Sequence, residues 1–153
     1  MTDTIVFLDH GSLAPGTTLR APGFPHQWVD HDETKPGEVA GRIKDATIVV
    51  TNKVKVGTPD MDAAPGLKLI AVCATGTDII DLAAAKARGI TVCNVRGYAE
   101  HSVPEHAFGL ILTLRRQIIG YLADVAAGKW QQAGTFTFFT HELRDLYGTR
   151  LAV

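Results

Sequence analysis

With 153 residues and 46% apolar against 20% charged side chains, the chain has material for one hydrophobic core that folds unaided, which excludes a disordered or fibrous protein. Fifteen Lys and Arg against sixteen Asp and Glu leave a net charge of −1, so neither nucleic acid nor an anionic membrane is an expected partner. Cys73 and Cys93 make no CxxC pair and no disulfide framework, and Met1-Thr2-Asp3-Thr4 carries no basic leader, so the expectation is a soluble cytoplasmic protein with free thiols. The longest apolar stretch, Ala107 to Leu114, stops at Arg115-Arg116, short of a membrane span.

The first strand is predicted at Ile5-Val6-Phe7-Leu8, ended by Asp9-His10-Gly11. Residues 11 to 25 are rich in Gly and Pro and read as a loop, and Gln27-Trp28-Val29 makes a weak second strand. Pro36 to Asp45 fits a helix, with Pro36 near its start and Val39, Ile43 and Ala46 on one face. Ala46 to Val50 is continuous and β-branched, as a buried parallel strand requires, and Leu67 to Val72 repeats the pattern after Pro65-Gly66. Asp81 to Arg88 predicts a short helix closed by Gly89 at a left-handed cap position, followed by a strand at Ile90 to Cys93. This alternation with short connections implies a mainly parallel, doubly wound α/β sheet of about five strands, and the flavodoxin-like order is the one chosen among known orders.

Beyond it the pattern changes. Ser102 is placed to cap a helix, with Pro104 and Glu105 in the first turn. From Val103 to about Ala127 only Gly109 and Gly120 interrupt the helical pattern, which predicts one rod of roughly 35 Å. Its apolar residues, Phe108, Ile111, Leu112, Ile118, Ile119 and Leu122, cover more than one stripe, so it must pack against more than one partner. Residues 128 to 140 read as loop, His141 to Leu146 as a helical turn, and Leu151-Ala152-Val153 as the first residues of a further strand.

Two segments carry chemistry. Val72-Cys73-Ala74-Thr75-Gly76-Thr77-Asp78 follows a buried strand, where ligands of parallel sheets gather. Its consecutive N–H groups, with Gly76 allowing close backbone approach, would suit a small carboxylate. The same residues also make an ordinary β-to-α turn with Gly76 at positive φ, and the residue types alone favour that plainer reading. Asn94-Val95-Arg96-Gly97-Tyr98 with Ser102-Val103-Pro104-Glu105-His106 also follows a strand end and would border the same crevice, or be simply a turn into a capped helix.

The succession Ala74-Thr75-Gly76-Thr77-Asp78, Asp81-Leu82, Ala84-Ala85, Arg88-Gly89-Ile90, Asn94-Val95, Gly97-Tyr98 and Ser102-Val103-Pro104-Glu105-His106 resembles the NAD(P)-dependent D-2-hydroxyacid dehydrogenases. The Val-Pro-Glu-His form and the opening Ile5-Val6-Phe7-Leu8-Asp9 are most similar to the glycerate dehydrogenase (hydroxypyruvate reductase) branch, and Gly128-Lys129-Trp130 with residues 141–151 resembles the lead-in to that family's nucleotide domain. The resemblance implies a substrate domain over residues 1–101 and, over 102–153, an interdomain helix leading to a nucleotide-binding domain. It implies that the backbone of Ala74, Thr75 and Gly76 holds a 2-keto or 2-hydroxy acid carboxylate, and that Thr51 faces the same crevice. It further implies that Ser102 and Val103 lie near the nicotinamide of NAD or NADP, and that Asn94 and Tyr98 shape the hinge side.

The family's Gly-x-Gly-x-x-Gly turn is absent, because no two glycines here are spaced two apart. None of the histidines at 10, 26, 31, 101, 106 and 141 sits in the family's catalytic motif. The resemblance therefore implies the truncated front part of such an enzyme, with no catalytic residue of its own, no cofactor bound to it alone and no turnover. A second reading is a flavodoxin-like module without activity that forms homodimers through the helix from Val103. A flavin-binding reading lacks a hydroxyl-rich loop after the first strand. His26 and His31 amid Asp30, Asp32 and Glu33 could suggest a metal, but strand alternation puts the two imidazoles on opposite faces, and no metal site is expected.

Overall fold

The computed structural model describes residues 2–152, which fall into two compact units divided between Gly97 and Tyr98. The first unit is a five-stranded sheet, all parallel, in the order β2-β1-β3-β4-β5: β1 Asp3–Phe7, β2 His26–Asp30, β3 Ile48–Thr51, β4 Leu69–Val72 and β5 Thr91–Asn94. This is the flavodoxin-like order, with its switch point between β1 and β3, where the chain leaves in opposite directions.

The registers Val6↔Val49↔Ile70↔Val92 and Ile5↔Ile48↔Leu69↔Thr91 define the two faces. On the first, Val6, Leu8, Val49, Ile70 and Val72 are buried in one cluster with Val39 and Ile43 of α1 (Val39–Ile43), Met61 of α2 (Thr58–Asp62), and Ala84 and Ala85 of α3 (Leu82–Ala87). On the second face Ile5 and Phe7 are fully buried, whereas Ile48, Val50, Leu69 and Ala71 are half-buried.

The apolar runs locate all five strands, and the expected first helix is a 3-10 turn at Pro36–Glu38 continuing into α1. Helix α2 is not predicted by the apolar pattern. It begins at Thr58-Pro59, and the Asp60 carboxylate accepts the Gly57 N–H at 2.9 Å. Asp81 caps α3 by accepting the Ala84 N–H at 2.9 Å, and Gly89 closes it at φ +69°.

The second unit corrects five expectations. The rod from Val103 is two helices, α4 Ser102–Arg115 and α5 Ile118–Ala126, and the break is neither Gly109 nor Gly120 but Gln117, at φ 51° and ψ 37°. One residue in the left-handed region ends the α4 ladder, and the Gln117 carbonyl starts the next by accepting from Tyr121 N–H. Ser102 is the first helical residue rather than the cap; His101 stands at the cap position, with no side-chain bond to the helix. Residues 128–140 are not all loop, since Lys129–Gln132 forms α6 after Gly128 at φ +77°. His141 to Leu146 is not helical: Arg144 N–H donates to the Arg115 carbonyl at the end of α4, which spends the segment's backbone on another element. Leu151 and Ala152 belong to no strand, and Val153 lies outside the described residues. No helix is long and apolar enough to cross a membrane among the described residues.

Candidate functional site

Within the first unit the carboxyl ends of β1, β3, β4 and β5 are tied by a chain of polar contacts. Asp9, directly after β1, is buried, and its carboxylate accepts the backbone N–H of Asn52 at 2.9 Å and of Lys53 at 2.6 Å and the Ser12 hydroxyl at 3.3 Å. Asn52 returns the tie, its amide donating to the Ser12 hydroxyl at 3.0 Å. Thr51 is wholly buried; its hydroxyl donates to the Val54 carbonyl at 3.2 Å and accepts the Val54 N–H at 3.1 Å. Thr51 thus fastens the turn after β3, and its hydroxyl is committed within that turn.

The turn after β4 hangs on β3 and β5. Cys73 N–H donates to the Thr51 carbonyl at 2.8 Å, and Val95 N–H to the Ala74 carbonyl at 3.1 Å. The Thr75 hydroxyl donates to the Val95 carbonyl at 2.9 Å, and the Asn94 amide to the Thr75 carbonyl at 2.7 Å. These bonds consume the carbonyl side of the turn. The N–H groups of Thr75, Gly76 and Thr77 donate to no protein acceptor among the described residues, and Thr75 and Gly76 are exposed. A rigid turn with a run of free N–H donors is a ready anion seat.

Gly76 is not at positive φ, so the plain reading of it as a left-handed turn residue does not hold. A Cβ there would meet the Asp78 carboxylate at 3.0 Å, so the missing side chain leaves room for that carboxylate. Burial pushes the Cys73 thiol up, with the nearby charge of Asp9 adding to it, so the thiol beside this turn stays protonated and is a poor nucleophile.

In the second unit Tyr98 is 63% and Val103 62% exposed, and Ser102 is exposed at the first turn of α4. A polar cluster around the buried Asp124 is not predicted by the sequence pattern. Asp124 of α5 accepts from Lys129 Nζ at 2.6 Å and from the Thr140 hydroxyl, and His141 Nε2 lies 3.1 Å from it. The hydrogen bonds from Lys129 and Thr140, with the Lys129 and His141 charges, hold the Asp124 carboxyl below the ordinary aspartate value. The imidazole lies so close to α5 that a Cβ on Gly120 would sit 2.7 Å from His141 Nε2. The sequence signal was faint: a small residue on α5 and one histidine twenty-one positions on.

Among the described residues no three His, Cys, Asp or Glu side chains converge as a metal site. No two glycines of the sequence are spaced two apart.

A five-stranded parallel sheet in this order, with a turn of free N–H groups after β4, is a flavodoxin-like α/β fold. The family described as D-isomer specific 2-hydroxyacid dehydrogenase, catalytic domain, matches residues 17–152, and the chain belongs to that family. It is 44% identical, over its whole length, to 48% of the glycerate dehydrogenase of Methylorubrum extorquens. The hydroxypyruvate reductase of Blautia hydrogenotrophica is 31% identical over 97% of this chain and 48% of its own length. Among solved structures, the NADPH-dependent glyoxylate/hydroxypyruvate reductase of Sinorhizobium meliloti, in complex with NADP and malonate, superposes with a TM-score of 0.66 at 26% identity, covering 94% of this chain and 44% of that one. The chain spans about half the length of the curated relatives it matches.

Proposed function

We propose that this chain is the substrate-binding half of an oxidoreductase that interconverts a small D-2-hydroxy acid and its 2-keto acid, of the glycerate/hydroxypyruvate type. The observation that carries the proposal is the set of free N–H groups at Thr75, Gly76 and Thr77, held open by the ties to Val95 and Asn94. A carboxylate seated there would receive charge-assisted hydrogen bonds. Ala74 anchors the turn to β5, Asn94 fixes its carbonyl, and Thr51 fastens the neighbouring loop. In this reading the substrate domain covers residues 1–101, and residues 102–153 lead to the nucleotide domain. Tyr98 shapes the hinge, Ser102 and Val103 approach the nicotinamide, and NAD or NADP comes with the relatives' other half. Identity to a glycerate dehydrogenase and a hydroxypyruvate reductase supports the substrate class. The free thiols of Cys73 and Cys93 fit a cytoplasmic setting.

By itself the chain brings a carboxylate seat but neither hydride source nor proton donor, so it turns over nothing. The test is absorbance at the nicotinamide band with NADH or NADPH and hydroxypyruvate or glyoxylate. A flat trace is expected, and oxidation that saturates with substrate and scales with protein would overturn this part.

A second property is favoured by the apolar surface of the second unit. Leu114 is 70%, Ile119 70% and Leu122 69% exposed. We read this surface as the face through which two copies of the chain associate, starting from the helix at Val103, whether or not a nucleotide domain is present.

A further inference from the structure

We propose that a pocket at the β2 edge of the sheet binds a small planar aromatic carboxylate. The pocket is a cavity of about 320 Å3 between β2 and the loop that follows β1, and it shares no residue with the turn after β4.

Alternation along the edge strand puts His26, Trp28 and Asp30 on one face. There they join a continuous line of rings. Phe24 meets His26 edge-on at 5.6 Å, His26 meets Trp28 at 6.3 Å, and Trp28 meets Phe7 at 6.5 Å. His10 stacks on Phe7 at 5.2 Å, with 12° between the ring planes. Phe7 is fully buried, so the line is anchored in the sheet and gives the cavity a rigid apolar wall of His26 and Trp28.

The polar groups around this wall differ in commitment. The Asp30 carboxylate is engaged by His10 Nδ1 at 3.2 Å. His26 Nδ1 is engaged with the Phe24 carbonyl at 2.7 Å. Arg20 lines the same cavity, and its guanidinium has no carboxylate and no hydrogen-bond acceptor among the described residues. Of the charged side chains lining the cavity, Asp30 has a partner in His10 and Arg20 has none, and the guanidinium stands beside flat aromatic surface. A ring with a carboxylate satisfies both at once, its plane against Trp28 and His26 and its two oxygens on the guanidinium fork. An aliphatic acid would leave the wall unused, and an aromatic amine would meet Arg20 with like charge.

Trp28 and Trp130 are the only tryptophans, so the Trp130→Phe protein reports on Trp28 alone. Its fluorescence is titrated with benzoate and 4-hydroxybenzoate, with butyrate and benzylamine as controls. Both benzoates are expected to change the emission saturably, with no saturable change from either control. In Trp130→Phe/Arg20→Ala the dissociation constant is expected to rise at least about tenfold, the loss of one charge-assisted pair. Arg20→Lys, which keeps the charge and the fold but not the fork, is expected to fall between. Absence of a saturable change, equal response to butyrate, or an Arg20→Ala titration unchanged from the parent would overturn the proposal.

Discussion

The carboxylate of Asp9, at the end of β1, accepts the backbone N–H of Lys53 at 2.6 Å across forty-four positions of sequence, and through it the two strands at the switch point share one buried tie. The neighbouring Asn52 N–H is held by the same group at 2.9 Å. Asp9→Ala would strand one buried backbone donor, at about 1–3 kcal/mol, and one part-buried donor at less. We predict a loss of about 2–4 kcal/mol in denaturant unfolding, with Asp9→Asn intermediate because its amide oxygen still accepts from one of the two. An unchanged midpoint for Asp9→Ala would show that water replaces the carboxylate at no cost.

Gly120 and His141 are predicted to be energetically coupled. A methyl at position 120 would sit 2.7 Å from the imidazole, so Gly120→Ala must displace the ring. Overpacking of this kind costs about 1–3 kcal/mol. The double variant Gly120→Ala/His141→Ala should recover most of that loss, because the clash goes with the ring. Purely additive losses in thermal unfolding would mean that the helix, not the contact, suffers from the alanine.

Acid should loosen the second unit mainly through Asp124, because the other lowered carboxylate of the unit, Glu142, is 74% exposed and its pair with Arg144 is worth little. The Asp124 carboxyl is held below the ordinary value of 3.8 by its bonds from Lys129 and Thr140. A group depressed in the folded state stabilises above its unfolded value, and that stabilisation is lost as pH falls through the lower, folded one. Hydrogen exchange of residues 135–147 should therefore speed up as pH drops below 3.8, after correction for intrinsic rates. The acid step should vanish in Asp124→Asn. A step that persists in that variant would assign it to another carboxylate.

The exposed face of α5 gives a prediction about assembly. Ile119→Glu places a charge at a side chain that is 70% exposed, which a monomer tolerates. Light scattering should report a dimer for the parent chain and a monomer for the variant, with equal melting in dilute solution. A parent chain monomeric at high concentration would remove the interface.

What could be read in the sequence, and what could not, follows from the range of the interactions. Ile48–Thr51 and Leu69–Val72 announce themselves because a strand buried in a parallel sheet must be apolar throughout, and that is a local property. Asp81 and Gly89 frame α3 for equally local reasons. Gln117 gave no warning, since glutamine is a good helix former and only its place between α4 and α5 puts it in the left-handed region. Asp9 looked like the end of a strand; the donors that make it a tie lie on the loop after β3. The turn at Thr75 and Gly76 was visible as a candidate, but its open N–H groups depend on Val95 and Asn94 engaging the other side.

The most direct test of the central claim is an amide NMR titration of this chain with D-glycerate and hydroxypyruvate. A single small carboxylate held by a few hydrogen bonds corresponds to a dissociation constant of about 1–10 mM. The account predicts saturable shifts at the amides of Thr75, Gly76 and Thr77, weakened by Gly76→Ala and absent with an uncharged amide of the same acid. Shifts that miss this turn, or that the uncharged amide reproduces, would contradict it.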